Sequence, residues 1–347
     1  MKHVSRRAYA RAGLLGNPSD GYHGKTISVI VGDFSAQVDL FSAKKITIQP
    51  SPHESLEFDS LEQLTRRVQK DGYYGGVRLL KATMKRFCEF YFADGGVPAD
   101  NFRIQYHSNI PRQVGLAGSS AIITAALRGL ADWYGLTLAP HSLASLTLSV
   151  EADLGIPAGL QDRVIQAYEG LVYMDFGHSQ MQVDRGLPYG LYERLDPALL
   201  PNLYIAFADD AGEPTEVLHN DLKQRFDAGD PIVVDAMQQF AEYAKQGRAA
   251  LLEQDHLRLA SLINENFDLR HQICQLHPAH IHLVETARSV GASAKYCGSG
   301  GAIIGTYPDP EMWPLLQKRL RDINAQAIRP EIGRFQDNQN SQDGQDA

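Results

Sequence analysis

Cysteine is scarce in this chain, which has three among 347 residues. Cys88, Cys274 and Cys297 lie far apart, with no metal-ligand spacing between them. A disulfide framework is therefore excluded, and a reducing compartment, the cytoplasm, is expected.

Long apolar runs and an excess of basic charge are also missing. No stretch approaches the roughly 18 apolar residues of a membrane span, and residues 1–10 lack the apolar core of a signal peptide. Lys and Arg number 33 against 41 Asp and Glu, a net charge of −8, which argues against a broad basic face for nucleic acid. We expect neither a membrane nor a nucleic acid partner, and the sequence leaves the oligomeric state open.

The two common nucleotide-binding fingerprints are not present either. Gly24-Lys-Thr has the end of a Walker A loop, but Ser19 stands where the first glycine is needed. The residues that follow alternate and are β-branched, so they predict a strand instead of the required helix. Residues 298–301 do not form a Rossmann fingerprint, because a strand-like segment follows them.

Residues 109–124 contain the most informative pattern in the chain. Gly115, Gly118, Ser119 and Ser120 lead into an apolar run with helical spacing. A glycine-rich turn at a helix start directs free N–H groups and a positive dipole end at one point, where phosphate binds well. A serine that merely caps the helix explains the pattern equally well on its own.

Periodicity predicts both strands and helices, arranged in two halves of the chain. Strands are expected at 7–15, 26–49 (broken near Gly32), 101–107 and 170–176, and helices at 60–93, 119–130 and 141–153. The polar segment 177–200 is a candidate crossing between domains. Beyond it we expect strands at 202–208, 293–297 and 302–307 and helices at 230–247, 248–270, 278–290 and 310–323.

Three further segments have residue types suited to chemistry. Arg11 lies in the first strand, ahead of a loop containing Asn17 and Asp20. Glu151 stands near a helix end, and Asp162 follows a Gly-Leu-Gln loop. Taken singly, the loop glycines serve a turn, the carboxylates are solvated, and residues 298–301 are a tight hairpin.

Together these segments resemble the GHMP kinase superfamily and, more closely, its glucuronokinase family. The shared strings are Gly13-Leu-Leu-Gly-Asn-Pro-Ser-Asp, Gly72-Tyr-Tyr-Gly-Gly-Val-Arg-Leu-Leu, Asn109-Ile-Pro-Arg-Gln, Gly118-Ser-Ser-Ala-Ile, Gly155-Ile-x-Ala-Gly-Leu-Gln-Asp-Arg-Val and Lys295-Tyr-x-Gly-Ser-Gly-Gly-Ala. They are spread over about residues 7–330. The phosphate loop is one residue longer than in many superfamily members, and Ala158 replaces a common serine.

The resemblance implies a two-domain kinase that uses ATP and Mg²⁺ to phosphorylate a sugar at its 1-position, D-glucuronate above others. The implied fold is α+β, with an N-terminal ribosomal-protein-like domain (1–190) and a C-terminal ferredoxin-like domain (191–333) that would hold ATP between them. A disordered tail (334–347) would follow.

The resemblance also implies roles for individual residues. Asp162 would act as base or orienter and Arg11 would steady it, while Ser120 and Glu151 would hold Mg²⁺. The ATP phosphates would be bound by Pro111, Gly115, Leu116, Ala117, Gly118, Ser119, Ser120, Ala121, Gly298, Ser299, Gly300 and Gly301. Asn17 and Asp20 would bind sugar hydroxyls.

A uronic acid substrate needs a cation for its carboxylate, and arginine suits this with its planar fork. Arg78, Arg112 and Arg163 are the candidates beside Arg11, with Arg78 and Arg112 ahead. Tyr73 and Tyr74 either stack on a ligand or pack in the fold, and an adenine pocket is expected near residues 55–80.

Competing interpretations stay open on the sequence alone. A kinase for galacturonate, a hexose or a heptose shares the motifs, and so does a catalytically silent sensor of sugar and ATP. The sequence of residues 13–20 resembles that of sugar kinases, which disfavours a decarboxylase of the mevalonate branch.

Overall fold

The structure, a computed structural model, describes residues 2–50, 75–96, 98–156, 158–208 and 216–335, with side chains from Leu222 onward in the last range. Tyr73, Tyr74, most of the segment expected to bind adenine, and the tail from residue 336 lie outside these ranges. Across the described residues no helix is both long and apolar enough to cross a bilayer.

A six-stranded sheet forms the first half of the molecule. Its strands are β1 (His3–Leu15), β2 (Lys25–Ser42), β3 (Thr47–Ile48), β4 (Phe102–Ser108), β5 (Leu171–Asp175) and β8 (Leu191–Leu195). The order is β3-β4-β2-β5-β8, and β1 runs antiparallel along the other edge of β2. A small hairpin, β6 (Gln182–Asp184) with β7 (Leu187–Tyr189), stands apart from it.

Four helices accompany this sheet: α1 (Gly76–Tyr91), α2 (Gly118–Trp133), α3 (Pro140–Asp153) and α4 (Gln161–Tyr168). The central helix α2 is apolar almost all round and nearly every residue after its first turn is buried, which is typical of a helix inside a core. It packs against β1 and β2 and is flanked by α1 and α3. This rigid setting fixes the position of its N-terminus.

The second half is a four-stranded sheet in the order β10-β11-β9-β12. Its strands are β9 (Leu203–Ala208), β10 (Lys295–Tyr296), β11 (Ala302–Thr306) and β12 (Ala325–Ile328). The helices are α5 (Glu216–Asp227), α6 (Pro231–Leu252), α7 (His256–Ile273), α8 (Pro278–Arg288) and α9 (Trp313–Arg321). The predicted α+β class is confirmed.

The two halves share one apolar core. Residues of β9, α6 and α7 are buried in the same cluster as β1, β2 and α2. Gly247 of α6 allows this approach, since a Cβ there would lie 2.1 Å from Leu15 Cδ1. The second half is thereby held against the strand that carries Arg11.

Several predicted elements differ from the structure in informative ways. The break between the two long helices was predicted at 247–248 but falls at 253–255. Asp255 there caps α7 by accepting the Arg258 N–H. Segment 177–200, expected as a polar crossing, contains three strands, and one of them (β8) pairs with β5. The expected domain division after residue 190 thus falls directly before a strand of the first sheet, and the domain limits stay a prediction.

We expect the buried Arg128 to be essential for stability. It donates 2.8 Å hydrogen bonds to the carbonyls of Arg7 and Gln166 and pairs with buried Glu169 at 3.4 Å. Arg128→Leu removes the cation that faces buried Glu169 and should lower the free energy of unfolding by about 3–5 kcal/mol. Urea unfolding measures the change. Lys85→Ala, which removes exposed pairs with Asp153 and Glu89, is the control. Equal small effects of both variants would contradict the assignment.

Candidate active site

The loop before α2 has the backbone of an anion-binding turn. Gly115 and Ala117 both have left-handed φ angles, 74° and 61°, and Ala117 is the N-cap of α2 without any side-chain cap. Neither expected serine is the N-cap; Ser120 Oγ donates to the Ala117 carbonyl at 3.1 Å. The first turn of this 16-residue helix thus keeps N–H groups without an intrahelical acceptor, as phosphate binding requires.

Arg11 and Asp162 form a two-pronged ion pair at the centre of the site. Arg11 Nε and Nη2 each donate to one Asp162 oxygen at 2.5 Å, while Nη1 donates to the Gly115 carbonyl at 2.5 Å. The Arg11 side chain is 5% exposed and that of Asp162 20%. The carboxylate is therefore held in one orientation while part of it reaches solvent.

Glu151 and Arg163 form a second buried pair beside the first. Arg163 Nε and Nη2 contact Glu151 Oε2, and Arg163 Nη1 lies 3.3 Å from Asp162 Oδ2. Burial raises the pKa of Glu151 and the charge of Arg163 opposes the rise. Glu151 Oε1 and the Ser120 hydroxyl are oxygen donors of the type that Mg²⁺ prefers, so the residues present suit the expected metal.

The second glycine-rich turn, residues 298–301, lies directly on the first. A Cβ on Gly115 would come within 2.6 Å of the Gly300 carbonyl, and one on Gly301 within 2.7 Å of Val114 Cα. A Cβ on Gly298 would lie 2.9 Å from Arg11 Nη2. Glycine at these positions is what lets the two loops touch, so the two sets of residues predicted to bind phosphate are brought together.

Arg270, on α7, is a residue that sequence reasoning missed. It is 4% exposed and donates to the carbonyls of Gly298 at 2.7 Å and Ser299 at 3.2 Å. In a trans peptide the N–H points opposite to the C=O. Arg270 therefore turns the N–H groups of Ser299 and Gly300 away from itself. Nothing in its sequence surroundings marked it, because it acts on a loop 28 residues away.

Asn17 and Asp20 lie in the segment after β1. Two residues that were not predicted, Lys295 and Gln161, contact them from elsewhere in the chain. Lys295 Nζ donates to Asn17 Oδ1 at 2.5 Å. Asp20 Oδ2 accepts the Gln161 backbone N–H at 3.3 Å, and Gln161 Oε1 is buried without a hydrogen-bond partner among the described residues. Asn17 and Gln161 both lie beside Gly13, and the charge of Asp162 acts on Asp20, so these residues are near Asp162; their expected role in binding the sugar stays a prediction.

The Asp20 carboxyl is electrostatically unfavourable where it stands. Burial, and next the negative charge of Asp162, raise its pKa from 3.8 to about 6. Gly159 allows the close approach, since a Cβ there would lie 1.9 Å from Asp20 Oδ2. A carboxyl kept in so costly a position is typical of a functional site.

The predicted arginines do not form one cluster. Arg163 is committed to Glu151, Asp162 and the Gly159 carbonyl. Arg78 Nη2 reaches the Leu154 carbonyl at 3.5 Å, and Arg112 is exposed. Their expected role in binding a carboxylate stays a prediction.

Known proteins share this architecture. Residues 78–170 match the family described as GHMP kinases N terminal domain. Galactokinase of Lactococcus lactis, solved in complex with galactose, gives a TM-score of 0.76 at 16% identity and covers 96% of this chain and 94% of that one. Mevalonate kinase of Methanococcus jannaschii gives 0.69 at 16%, covering 96% and 99%. The fold is that of GHMP kinase structures.

Two relatives of higher sequence identity define the family within the GHMP kinases more closely. Glucuronokinase 1 of Arabidopsis thaliana is 42% identical over 327 residues, 92% of this chain and 89% of the relative. Probable glucuronokinase 2 of the same plant is 43% identical over 325 residues, 91% and 87% of the two chains. The chain belongs to the glucuronokinase family of GHMP kinases, which are ATP-dependent phosphotransferases.

Replacing Asp20 should stabilise the protein in a pH-dependent way. Because the native pKa lies above the ordinary one, ionisation of Asp20 lowers stability as pH rises from about 4 to 6, and the full cost is present above that range. Asp20→Asn removes the cost, so its free energy of unfolding at pH 7.5 should exceed the wild type's by up to about 3 kcal/mol, and the gain should vanish at pH 4.

Thermal unfolding of both proteins across this pH range measures the difference. Asp235→Asn, on an exposed position of α6, is the control. A gain that is the same at every pH would contradict the electrostatic origin.

Removing the Arg270 guanidinium should weaken ATP binding. Arg270→Met leaves the carbonyls of residues 298 and 299 without their donors, so the loop N–H groups lose their fixed direction. We expect kcat/KM for ATP to fall about 10- to 100-fold, the worth of one or two charged hydrogen bonds. Arg258→Met, on the same helix but bonded to Glu265, is the matched control. Equal ATP kinetics in both variants would refute the role of Arg270.

Proposed function

We propose that the protein transfers the γ-phosphoryl group of ATP to the anomeric hydroxyl of D-glucuronate, giving glucuronate 1-phosphate and ADP, in the cytoplasm. The identity of 42% to a glucuronokinase over nearly the full length of both chains carries the proposal. The ion pair between Arg11 and Asp162, set beside two touching glycine-rich loops, supports it independently.

In the proposed reaction Asp162 accepts the hydrogen bond of the anomeric hydroxyl and takes its proton as the oxygen attacks the γ-phosphorus. The bond between that phosphorus and the β,γ-bridging oxygen breaks, and ADP leaves with both bonding electrons. An anomeric hydroxyl is more acidic than other sugar hydroxyls, so a weak base is adequate. Positioning and charge neutralisation supply most of the catalysis in phosphoryl transfer.

The remaining predicted residues take supporting roles in this proposal. Arg11 holds Asp162 and places positive charge beside the transferred group. Ser120 and Glu151 would hold Mg²⁺, which would supply charge neutralisation at the phosphates. The phosphates are bound by the first-turn N–H groups of α2, by the loop from Pro111 to Ala117, and by residues 298–301. Asn17 and Asp20 bind the sugar, with Arg78, Arg112 or Arg163 as the expected arginine for its carboxylate.

A kinase of the same mechanism for another sugar is the second candidate. A D-glycero-alpha-D-manno-heptose 7-phosphate kinase of Campylobacter jejuni is 22% identical over 334 residues. A silent sensor is disfavoured, because the pair of Arg11 and Asp162 is intact.

We expect Asp162→Asn to lose about two to four powers of ten in kcat, the usual worth of a positioned acid–base group. An amide keeps the size of the side chain but cannot take the proton. Circular dichroism and the melting temperature confirm that the variant folds, and binding of ATP should be retained. Near-normal turnover in a folded variant would sink the assignment.

The activity itself is tested by ADP release with ATP, Mg²⁺ and a sugar panel of D-glucuronate, D-galacturonate, D-galactose and D-glucose, with phosphorus NMR to locate the new phosphate. Selective formation of glucuronate 1-phosphate is expected. Selective turnover of another sugar keeps the mechanism and overturns the substrate. ATP binding without turnover of any sugar favours the sensor.

A further inference from the structure

Lys295 is a buried cation that the proposed reaction does not use. It is 2% exposed, at the start of β10, and donates to the carbonyls of Gly13 and Tyr296, each at 2.8 Å, and to Asn17 Oδ1 at 2.5 Å. Across the described ranges no carboxylate pairs with it. A buried charge without a counterion is costly, and such charges are retained where they serve a ligand.

The three contacts define the chemical state of Lys295. Both carbonyl oxygens and the Asn17 amide oxygen can only accept hydrogen bonds, so three hydrogens are needed on Nζ. A neutral amine has two, whereas an ammonium group has three. This set of three acceptors matches the charged form, while burial holds the pKa of Lys295 well below its usual value.

The same contact determines which end of the Asn17 amide is left for a ligand. With Oδ1 taken by Lys295, the remaining group is Nδ2, which has two hydrogens and no acceptor among the described residues. Asn17 Cγ and Gln161 Nε2 both crowd the missing side chain of Gly13, at 3.1 and 2.6 Å from its Cβ position. Asn17 thus lies beside the residue that precedes Asp162 and presents donors there.

The neighbouring guanidinium groups have their charge satisfied. Arg11 is paired with Asp162, and Arg163 with Glu151. Lys295, which has no carboxylate partner in the described part of the chain, therefore supplies positive charge directly behind the Asn17 amide, whose other end can only donate. A neutral hydroxyl can use a donor or an acceptor equally well, but a carboxylate can use only donors.

We propose that Lys295 and Asn17 together recognise the carboxylate of the uronic acid: the Asn17 amide donates to it, and Lys295 orients that amide and supplies the charge. This inference rests on the proposed function. It makes Asn17 a binding residue with a defined partner and Lys295 a specificity-determining residue behind it.

The test compares kcat/KM for D-glucuronate with that for D-glucose, which differs only in having CH₂OH in place of the carboxylate. Asn17→Asp keeps an oxygen for Lys295 and hence the loop position, but replaces the donor with a second acceptor. Lys295→Met keeps the length and removes the charge. We expect the ratio of the two kcat/KM values to fall about 10- to 100-fold in each variant, the usual worth of a charged hydrogen bond.

Asn266→Ala is the matched control for loop position. Asn266 accepts the Gly16 N–H at 2.8 Å and donates to the Asn17 carbonyl at 3.2 Å, so it holds the same loop without charge. Replacing Asn266 should lower kcat/KM for both sugars by the same factor. The inference is overturned if Asn17→Asp and Lys295→Met also lower kcat/KM for both sugars by the same factor. It is likewise overturned if only Arg78→Ala or Arg112→Ala changes the ratio of the two kcat/KM values.

Two further observations keep the outcomes distinct. Wild-type protein that phosphorylates neutral sugars but no uronate overturns the proposed function, and the carboxylate site with it. Wild-type selectivity for glucuronate with an unchanged ratio in the variants overturns the carboxylate site alone. Should a variant fail to fold, a crystal structure of the wild type with D-glucuronate decides: its carboxylate lies within hydrogen-bond distance of Asn17 Nδ2, or the inference is wrong.

Discussion

The rest of the site depends on the hydrogen bonds that the Arg11 guanidinium donates. One side chain holds both oxygens of Asp162 and the carbonyl of Gly115, and it reaches the Cys297 carbonyl at 3.4 Å. Those three partners belong to α4, to the loop before α2 and to the turn that follows β10. A planar group with five fixed donors can join three backbone segments at defined angles, which a lysine cannot do. Because β1 is buried along the half that contains Arg11, the orientation of the carboxylate derives from the core of the first sheet.

Carbonyl groups, more than carboxylates, are what the buried cations bind here. Lys295, Arg11 and Arg270 take up the carbonyls of four consecutive residues, 296 to 299. Carbonyls neutralise a cation only in part, so positive potential remains in a protein with a net charge of −8. The turned peptides also direct N–H groups to the opposite side. Both consequences favour an anion at the junction of the two glycine-rich loops, and neither favours the stability of the empty protein.

The sequence predicted those parts of the molecule in which local pattern decides the structure. Helix α2 and the strands β4, β5 and β9 were expected within a few residues, since apolar spacing and flanking glycines define them. The boundary between α6 and α7 was predicted wrongly because it falls at Asp255, whose capping role depends on the fold and not on composition. Arg270 and Gln161 were missed for a related reason. Their function lies in which backbone or pocket they face, and a chain read in order gives no measure of that.

The Asn17 amide shows how far a recognition site can depend on a residue remote in sequence. Its side chain could offer either a donor or an acceptor, and the choice is made by Lys295, 278 residues further along. Lys295 also holds the Gly13 and Tyr296 carbonyls, so the loop after β1 and the turn at 298–301 are fixed to one ammonium group. A displacement of that turn moves the amide, and a displacement of the amide moves the turn. In the proposed site, the loop expected to bind the sugar and the turn expected to bind phosphate are therefore tied to each other through Lys295 in β10.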